Sequence, residues 1–327
     1  MNSISVIIPV RNGEDTLQKC LQSIREQTIG SLVEILILDT NSTDNSRAIA
    51  ESFGAKIFHI EPSSFSHGGT RNLGAEMASG ELLYYTVQDA RISSKDMLEK
   101  MASYFQDKDV QGVNGIQGVP SELDKNPAVW FKRFSKPIPE VRWFKNDTFS
   151  KLTSQQQLEN CRWDNVNAMY RKDAIVCIPF KTVNFAEDAV WALEALTKGY
   201  KLIRDSSLLT YHYHYHDFSY TFRVVYIVHY GIMVYFKTLP KFPNFIKSIA
   251  LNTYSILKKK EIGFAKKVYW IWHNIARNVA HFLSIATLRF LNLFGTKAVE
   301  KGLVFFCSQI PQGKQVKAIV TLQTANN

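Results

Sequence analysis

Cysteine and long apolar runs are both scarce in this sequence. Four cysteines occur in 327 residues, too far apart to match a zinc-site spacing, so we predict reduced thiols in a cytosolic protein. No 18 consecutive residues are apolar, which argues against a membrane-spanning helix. The opening residues, MNSISVIIPV, lack the basic segment and longer apolar stretch of a secretory signal, and are typical of a buried strand.

Acidic residues are also in short supply, since 29 Asp and Glu face 39 Lys and Arg and the net charge is +10. Such a balance fits nucleic acid, anionic lipid or phosphorylated substrates. The basic surplus is concentrated after Phe236 and includes the run Lys258-Lys259-Lys260. These lysines lie beside apolar aromatic residues and outside any nucleic-acid module, so we predict that nucleic acid is not a partner.

Strands and helices alternate along the first part of the chain. Apolar strands are predicted over residues 3–8, 33–39, 56–60 and 81–86, and a helical segment follows each of them. Because these strands are apolar on both faces, the pattern predicts an α/β fold with a mostly parallel sheet covered by helices. Ligands bind such sheets beyond the carboxyl ends of the strands.

Two later regions have a different composition. Residues 120–160 are rich in proline, aromatic and basic residues, which is typical of an irregular insertion or a lid. After about Thr221 the chain is predicted to be almost all helical, with an amphipathic helix over residues 268–294 that suits a membrane surface or helix packing. Its apolar stripe comprises Val268, Ile271, Trp272, Ile275, Val279 and Phe282, and its polar stripe His273, Asn274, Arg277, Asn278 and His281.

Two aspartates follow apolar strands, where a ligand crevice is expected. Asp39 closes the second strand, and it is either a nucleotide-base contact or a helix cap in the loop TNSTDNS. Asp89 follows the fourth strand. Its carboxylate suits Mg²⁺ or Mn²⁺ when phosphate oxygens complete the coordination shell, and the alternative is a helix cap or a salt bridge.

Charged residues at two predicted helix starts are further candidates. In SHGGTRN, two glycines allow close approach of a ligand, and Arg71 lies at the helix end where a cation is unfavourable without an anion nearby. The alternative is a loop turn with a solvated arginine. In NFAEDAVWA, either Glu187 or Asp188 could accept a proton from a hydroxyl, or both could simply interact with the helix dipole.

Three histidines, His212, His214 and His216, alternate with aromatic residues in YHYHYHDFSY. On a strand they would share one face at a spacing of roughly 6–7 Å, given a rise of ~3.3 Å per residue. They could not all reach one ion at about 2 Å, so we predict one metal ligand among them. The alternative is aromatic packing with hydrogen-bonded histidines.

Taken in order, four motifs resemble those of family 2 glycosyltransferases: SVIIPVRN, EILILDTNSTDNS, SHGGTRNLGAEMASGELLYYTVQDA and NFAEDAVWA. The resemblance covers residues 3–225, and HGGTRN followed by QDA is most similar to bacterial rhamnosyltransferases of cell-surface polysaccharide assembly. It implies a GT-A type catalytic domain over residues 1–225. The helical, basic region over 226–327 would then serve membrane association or oligomerisation.

The resemblance also implies roles for individual residues. The nucleotide sugar would be bound by Pro9, Arg11, Asp39, His67, Gly68, Arg71, Gln88 and Asp89. Asp188 would be the general base, and the acceptor would contact Glu187, Asn167 and Trp191. Asp89 matches the second Asp of the family's metal-binding DxD motif, and His214 or His216 would be a further ligand. Val87 stands in place of the first Asp, which leaves the metal dependence open.

The implied function is an inverting transfer of L-rhamnose from dTDP-β-L-rhamnose to a hydroxyl of a lipid-linked polysaccharide intermediate, with Mg²⁺ or Mn²⁺ as cofactor. Two alternatives stay open. One is a UDP-hexose donor on the same fold, and the other is a non-catalytic nucleotide-binding or membrane scaffold protein. A lipid-linked acceptor would place the protein in the cytoplasm, at the inner face of the cell membrane, with homo-oligomerisation through the C-terminal helices left open.

Overall fold

The structure is a computed structural model that describes residues 3–132, 138–183, 186–308 and 320–321. The chain divides into two compact units. The first contains Met1–Gly118, Phe134–His212 and Gln315–Asn327, and the second contains Val119–Arg133 and Tyr213–Lys314.

The first unit is built on one sheet. Its strands are β1 (Ile4–Val10), β2 (Glu34–Asp39), β3 (Lys56–Ile60), β4 (Leu82–Tyr85), β5 (Arg91–Ile92), β6 (Val110–Gly118), β7 (Glu140–Arg142), β8 (Ala168–Arg171), β9 (Lys201–Tyr211) and β10 (Val320–Thr321). The order is β10-β3-β2-β1-β4-β8-β6-β9-β5, with β7 paired to β9. Strands β3, β2, β1 and β4 are parallel, and β8 runs antiparallel to both β4 and β6.

Helices of this unit are α1 (Leu17–Arg25), α2 (Ser46–Ser52), α3 (His67–Met77), α4 (Met97–Ser103), α5 (Ser154–Asn160), α6 (Lys172–Cys177) and α7 (Glu187–Thr197). They cover both faces of the sheet. Val6 and Ile8 of β1 belong to the core cluster that contains Leu17 and Leu21 of α1. Ile7 points to the other face, where α3 lies so close that a Cβ on Gly74 would be 2.5 Å from it. The predicted α/β class is confirmed.

Pro9 lies inside β1, although the sequence predicted that the strand would end there. The backbone carbonyl of Ile7 forms its hydrogen bond on the β4 side, and that of Val10 forms its bond on the β2 side. Because successive residues of a strand direct their backbone groups to alternate sides, the backbone of Pro9 faces β4. Strand β4 pairs with β1 only as far as Ile7. Proline therefore costs this strand no ladder hydrogen bond with β4, because the pairing of β4 has already ended at Ile7.

The region 120–160, predicted to be irregular, contains regular elements. Strand β7 pairs with β9, and helix α5 begins at a capping box in which Thr153 and Gln156 exchange hydrogen bonds. Residues 119–133 belong to the second unit, and residues 133–137 lie outside the described part of the chain.

The second unit is helical, as the sequence predicted. Its helices are α8 (Phe218–Phe236), α9 (Phe245–Leu257), α10 (Phe264–Asn292) and α11 (Thr296–Cys307). Tyr226, Leu288 and Leu303 form the centre of its core. Among the described residues, no helix has both the length and the apolar character needed to cross a membrane.

The orientation of α10 differs from that expected of a helix lying on a membrane, whose polar stripe would face water. His273 is 9% exposed and Asn274 is 2% exposed, whereas Trp272 of the apolar stripe is 67% exposed. Asn274 and Asn126 exchange two side-chain hydrogen bonds of 3.0 and 3.1 Å inside this unit. Because these amides satisfy each other, part of the polar stripe can be buried while Val268 and Trp272 of the apolar stripe are exposed.

Candidate active site

The loops that follow β1, β2 and β4 lie at one edge of the sheet, because parallel strands present their carboxyl ends together. Two of these loops are joined by reciprocal hydrogen bonds. The N–H of Arg11 donates to Gln88 Oε1 at 2.8 Å, and Gln88 Nε2 donates to the Arg11 carbonyl at 3.2 Å. Gly13 lies against this contact, since a Cβ there would be 2.9 Å from the Gln88 side chain. The structure thus brings Arg11 and Gln88 together, and their contact with a nucleotide stays a prediction.

Asp39 ends β2 and is 1% exposed. Its carboxylate accepts hydrogen bonds from Arg47 Nε at 2.7 Å and from the backbone N–H of Ser42 at 3.2 Å. The helix-cap alternative is wrong, because the N-cap of α2 is Asn45 and Asp39 instead accepts hydrogen bonds within the loop before it. Its contact with a nucleotide base stays a prediction.

Arg71 is buried in α3 and forms an ion pair with Glu187, the first residue of α7. The anion that we expected beside this arginine is therefore a carboxylate of the protein itself. Burial alone would raise the pKa of Glu187, but Arg71 and then His67 outweigh burial and hold that pKa below its usual value. Glu187 is a buried counter-ion in this arrangement, and its contact with an acceptor stays a prediction.

Asp188 follows Glu187 but has different surroundings. Its Oδ2 accepts the N–H of Asn165 at 3.1 Å, and its Oδ1 accepts the N–H of Ala189 at 2.7 Å. Burial, then the negative charges of Glu187 and Asp164, raise its pKa well above the usual aspartate value. The two adjacent acids thus have opposite pKa shifts, and the role of Asp188 as a proton acceptor stays a prediction.

Residues 164–166 connect several parts of the site, and the sequence interpretation missed them. Asn165 Nδ2 donates to Glu187 Oε1 at 3.3 Å, while its Oδ1 accepts from the hydroxyl of Tyr170 at 2.6 Å. Asp164 accepts from Val166 N–H and from Gln117 Nε2, both at 2.8 Å. Burial raises the pKa of Asp164, and these two donors act in the opposite direction. The available signal was Asp164-Asn165, two adjacent polar residues shortly before β8.

The three histidines do not share a strand, because β9 ends at Tyr211. The predicted one-face arrangement is therefore wrong. His212 belongs to the first unit, where its Nε2 lies 3.4 Å from Asp89 Oδ2 and its Nδ1 lies 2.7 Å from Gln117 Oε1. His214 and His216 belong to the second unit, where their rings stack with centroids 6.2 Å apart. Metal binding by these two residues stays a prediction.

Asp89 and His212 fit a divalent cation. Each offers one ligand atom, a carboxylate oxygen and an imidazole nitrogen, at a separation that two ligands of one ion can adopt. Mn²⁺ accepts both donor types, whereas Mg²⁺ favours oxygen and retains more water. The same contact is also compatible with an ion pair between Asp89 and a protonated His212.

Another group approaches the backbone of Gly68 closely, but this group is part of the protein and is not a ligand. A Cβ at Gly68 would lie 2.4 Å from the carbonyl oxygen of Lys181. Asn72 donates to the Phe180 carbonyl at 2.9 Å and fastens α3 to the same segment. His67 is exposed and its ring packs edge-on against Phe65, with centroids 5.1 Å apart.

Trp191 and Asn167, predicted to contact the acceptor, lie in the core. Trp191 is 1% exposed, donates to the Ile178 carbonyl at 2.8 Å and packs edge-on against Tyr170. Asn167 is fully buried and donates to the carbonyls of Ile116 and Leu208 at 3.2 and 2.9 Å. Both side chains thus have structural roles in this structure, and their contact with an acceptor stays a prediction.

The sequence model described as "Glycosyl transferase family 2" matches residues 5–178, more than half of the chain. The chain belongs to glycosyl transferase family 2. The family match spans the predicted strand-end residues of β1, β2 and β4 and stops before Glu187 and Asp188.

Curated relatives of this family 2 chain include two proteins of Salmonella. The O-antigen chain rhamnosyltransferase WbaN of Salmonella anatum is 31% identical over 208 residues, which are 62% of this chain and 63% of that protein. The O-antigen chain rhamnosyltransferase RfbN of Salmonella typhimurium is 29% identical over 217 residues, 64% of this chain and 66% of that protein. The chain thus spans less than two thirds of the length of these relatives.

Solved structures support the fold. S. aureus TarS 1-349 in complex with UDP-GlcNAc has a TM-score of 0.54 at 17% identity, covering 93% of this chain and 80% of that one. The mannosyltransferase PcManGT from Pyrobaculum calidifontis, in complex with GDP-Man and Mn²⁺, has a TM-score of 0.51 at 15% identity, covering 94% and 86%. The predicted GT-A type fold is confirmed by these similarities.

Proposed function

We propose that this protein is an inverting glycosyltransferase that moves L-rhamnose from dTDP-β-L-rhamnose to a hydroxyl of a lipid-linked polysaccharide intermediate such as an O-antigen precursor. Asp188 is the general base, and Asp89 with His212 holds a divalent cation. The observation that carries the proposal is the separation of the two adjacent acids in a family 2 chain: Glu187 is buried against Arg71, and Asp188 has a raised pKa.

A continuous set of contacts links the predicted base to the predicted cation site. Asp188 accepts the N–H of Asn165, whose neighbour Asp164 accepts from Gln117. Gln117 in turn contacts His212, which faces Asp89. These contacts hold the carboxylates of Asp188 and Asp89 in one framework. Transfer between a donor and an acceptor requires such fixed positions.

Inversion needs one base opposite the leaving group and no enzyme nucleophile. Asp188 would remove the proton of the acceptor hydroxyl as the sugar carbon forms its new bond. An ionised carboxylate with a raised pKa, as at Asp188, is a stronger base than an ordinary aspartate. Arg71 supports this role indirectly, because its ion pair with Glu187 fixes the start of α7 and therefore the backbone of Asp188.

The nucleoside diphosphate is the leaving group. A divalent cation bound at Asp89 and His212 would neutralise the charge that develops on it. Arg11 and Gln88 lie at the carboxyl edge of the sheet, where the loops after β1 and β4 are joined, and they would contact the nucleotide. Asp39 would accept the base N–H at a remaining lone pair of its carboxylate, beside the hydrogen bonds from Arg47 and Ser42.

Donor cleavage with purified protein tests this function. Either dTDP-rhamnose or UDP-glucose is supplied with Mn²⁺, Mg²⁺ or EDTA, and nucleoside diphosphate release is measured. We expect release from dTDP-rhamnose that EDTA abolishes. Release from UDP-glucose alone would replace the rhamnosyl donor with a hexosyl one, and release that survives EDTA would end the metal role. Nucleotide binding without cleavage, in the presence of acceptor lipid, would favour a non-catalytic protein.

We also propose that the second unit binds the surface of the cytoplasmic membrane, where a lipid-linked acceptor would be found. Exposed apolar side chains occur on α9 and on the first half of α10: Ile246, Leu251, Tyr254, Leu257, Phe264, Val268, Tyr269 and Trp272. Residues 237–308 contain only two acidic residues, Glu261 and Glu300, so the accompanying lysines are largely uncompensated. Apolar groups with an excess of lysine suit an anionic lipid surface.

A further inference from the structure

Gln117 is an exposed side chain near the end of β6 that joins Asp164 to His212. Its Nε2 donates to Asp164 Oδ2 at 2.8 Å, and its Oε1 lies 2.7 Å from His212 Nδ1. On the other side of the imidazole ring, His212 Nε2 lies 3.4 Å from Asp89 Oδ2. All four residues belong to the first unit.

The directions of these hydrogen bonds follow from what each atom can donate or accept. Both oxygens of Asp164 accept N–H groups, so this carboxylate holds the NH₂ end of the Gln117 amide. The carbonyl oxygen of Gln117 is then directed at His212 Nδ1. Because that oxygen can only accept, Nδ1 must carry the hydrogen, and a neutral imidazole then keeps its lone pair on Nε2.

We propose that Asp164 and Gln117 are positioning residues that hold His212 as its Nδ1–H tautomer, so that His212 Nε2 and Asp89 together bind one divalent cation. The inference rests on the proposed function, in which this cation carries the leaving diphosphate. Among the three histidines of the sequence motif, it names His212 as a ligand and leaves metal binding by His214 and His216 as a prediction. A lone pair on Nε2 and the carboxylate of Asp89 repel each other at 3.4 Å, and either a divalent cation between them or a second proton on the ring removes that repulsion.

The tautomer can be measured without donor, acceptor or turnover. Full-length protein with ¹⁵N-labelled histidine is studied by NMR without added metal, and the His212 signals are assigned by their loss in His212→Ala. We expect the hydrogen on Nδ1 in the wild type and loss of that preference in Gln117→Ala, which removes the acceptor. Hydrogen on Nε2 in the wild type, or a doubly protonated ring at neutral pH, would overturn the proposal.

Cation binding gives the second measurement, with Mn²⁺ alone as the probe and free Mn²⁺ followed by electron paramagnetic resonance. Removing the hydrogen-bond partner of a ligating histidine typically weakens metal binding about 10- to 100-fold, so we expect that loss in Gln117→Ala. Asp164→Asn should lose less, because an asparagine can still accept from Gln117 but no longer fixes which way its amide points.

The matched control is Gln111→Ala on the same strand, whose amide donates to the carbonyls of Lys108 and Asp109. We expect its Mn²⁺ affinity to equal that of the wild type. Equal Mn²⁺ affinity of the wild type and Gln117→Ala, or an equal loss in Gln117→Ala and Gln111→Ala, would overturn the proposal. Thermal unfolding of each variant shows that any loss of binding occurs in folded protein.

These measurements separate this proposal from the proposed function. If the tautomer and the Mn²⁺ affinities behave as expected while dTDP-rhamnose is not cleaved, the positioning role stands and the donor assignment fails. If cleavage occurs but Gln117→Ala binds Mn²⁺ as the wild type does, the transferase stands and the positioning role fails.

Discussion

The pKa values of single residues in this site depend on their neighbours more than on the residue type. Glu187 and Asp188 are adjacent acids, yet Arg71 lowers the pKa of the first below the value that burial would give. Burial, then the negative charges of Glu187 and Asp164, raise the pKa of Asp188, while its hydrogen bond from the Ala189 N–H acts in the opposite direction. The loss of either acid should therefore have different consequences for activity and for stability.

Replacing Asp188 tests its role as the base. We expect Asp188→Asn to reduce the rate of sugar transfer by about 10²- to 10⁴-fold, the usual contribution of general base catalysis, with donor affinity unchanged. Steady-state transfer kinetics and donor titration measure the two quantities. Glu194→Gln is the control on the same helix, since Glu194 pairs with Lys181 instead of the site, and it should retain full activity. Transfer at the wild-type rate in Asp188→Asn would exclude Asp188 as the base.

The raised pKa of Asp188 also predicts how stability depends on pH. Between the ordinary aspartate pKa of about 3.9 and the raised value, the folded protein binds a proton that the unfolded chain has released. This contribution to stability therefore falls as pH rises through that window. Asparagine does not ionise, so the unfolding free energy of Asp188→Asn should increase relative to that of the wild type from about pH 4 upward. Urea unfolding at several pH values measures this difference, and a pH-independent difference would contradict the assignment.

The ion pair between Arg71 and Glu187 is buried on both sides. We expect Arg71→Met to lower the unfolding free energy by about 3–5 kcal/mol, because Glu187 would be left buried without its cation. The double variant Arg71→Met with Glu187→Leu should recover much of this loss, since no charge stays behind. Urea unfolding of both single variants and the double variant measures the coupling, and additive losses would show that the pair does not interact.

At the scale of elements, α3 is positioned by a close contact with the sheet. A Cβ at Gly74 would lie 2.5 Å from Ile7 Cγ2 and 3.0 Å from Leu38 Cδ1, both in buried strands. Alanine normally stabilises a helix interior by roughly 0.5–1 kcal/mol relative to glycine. Here the cost of overpacking should exceed the gain in helix propensity. We therefore expect Gly74→Ala to destabilise the protein by about 1–3 kcal/mol, as measured by urea unfolding.

Gly263→Ala is the control for this substitution, because nothing lies within 4 Å of a Cβ built at Gly263. Gly263 is the N-cap of α10, a position where alanine is less favourable than glycine, so we expect a loss of less than about 1 kcal/mol. A stabilising Gly74→Ala would mean that α3 can move away from β1 at little cost.

Element boundaries were predicted well where burial is periodic and poorly where a tertiary contact sets the end. The strands over 33–39 and 56–60 were found almost as predicted, because each is a short apolar run ended by loop residues. Strand β9 stops at Tyr211, although the alternation of aromatic and histidine residues continues beyond it. That alternation predicted a shared face for three histidines, and only the position of the strand end showed that they do not share one.

At the scale of the whole molecule, the charge and apolar surface of the second unit predict binding to anionic vesicles. We expect sedimentation with vesicles of phosphatidylglycerol and phosphatidylcholine but not with phosphatidylcholine alone. Trp272→Glu combined with Leu257→Glu should weaken binding at least about tenfold, since burying each side chain contributes roughly 1.5–3 kcal/mol. The two residues are 67% and 54% exposed, so folding should be unaffected.

Leu32→Glu is the control for the vesicle experiment, because Leu32 is 76% exposed but belongs to the first unit. It should bind as the wild type does. Equal binding to neutral and anionic vesicles, or an equal loss in the control, would show that the second unit does not recognise the lipid surface.

The sequence by itself determined the α/β class, the helical second unit, and the strand-end positions of Asp39 and Asp89. These follow from local patterns, since apolar periodicity and loop residues act over a few neighbouring positions. Tertiary structure alone decided that Arg71 meets Glu187, that Gln117 joins Asp164 to His212, and that Trp191 is buried. Each of these contacts joins residues far apart in the chain, and no local pattern specifies such a partner.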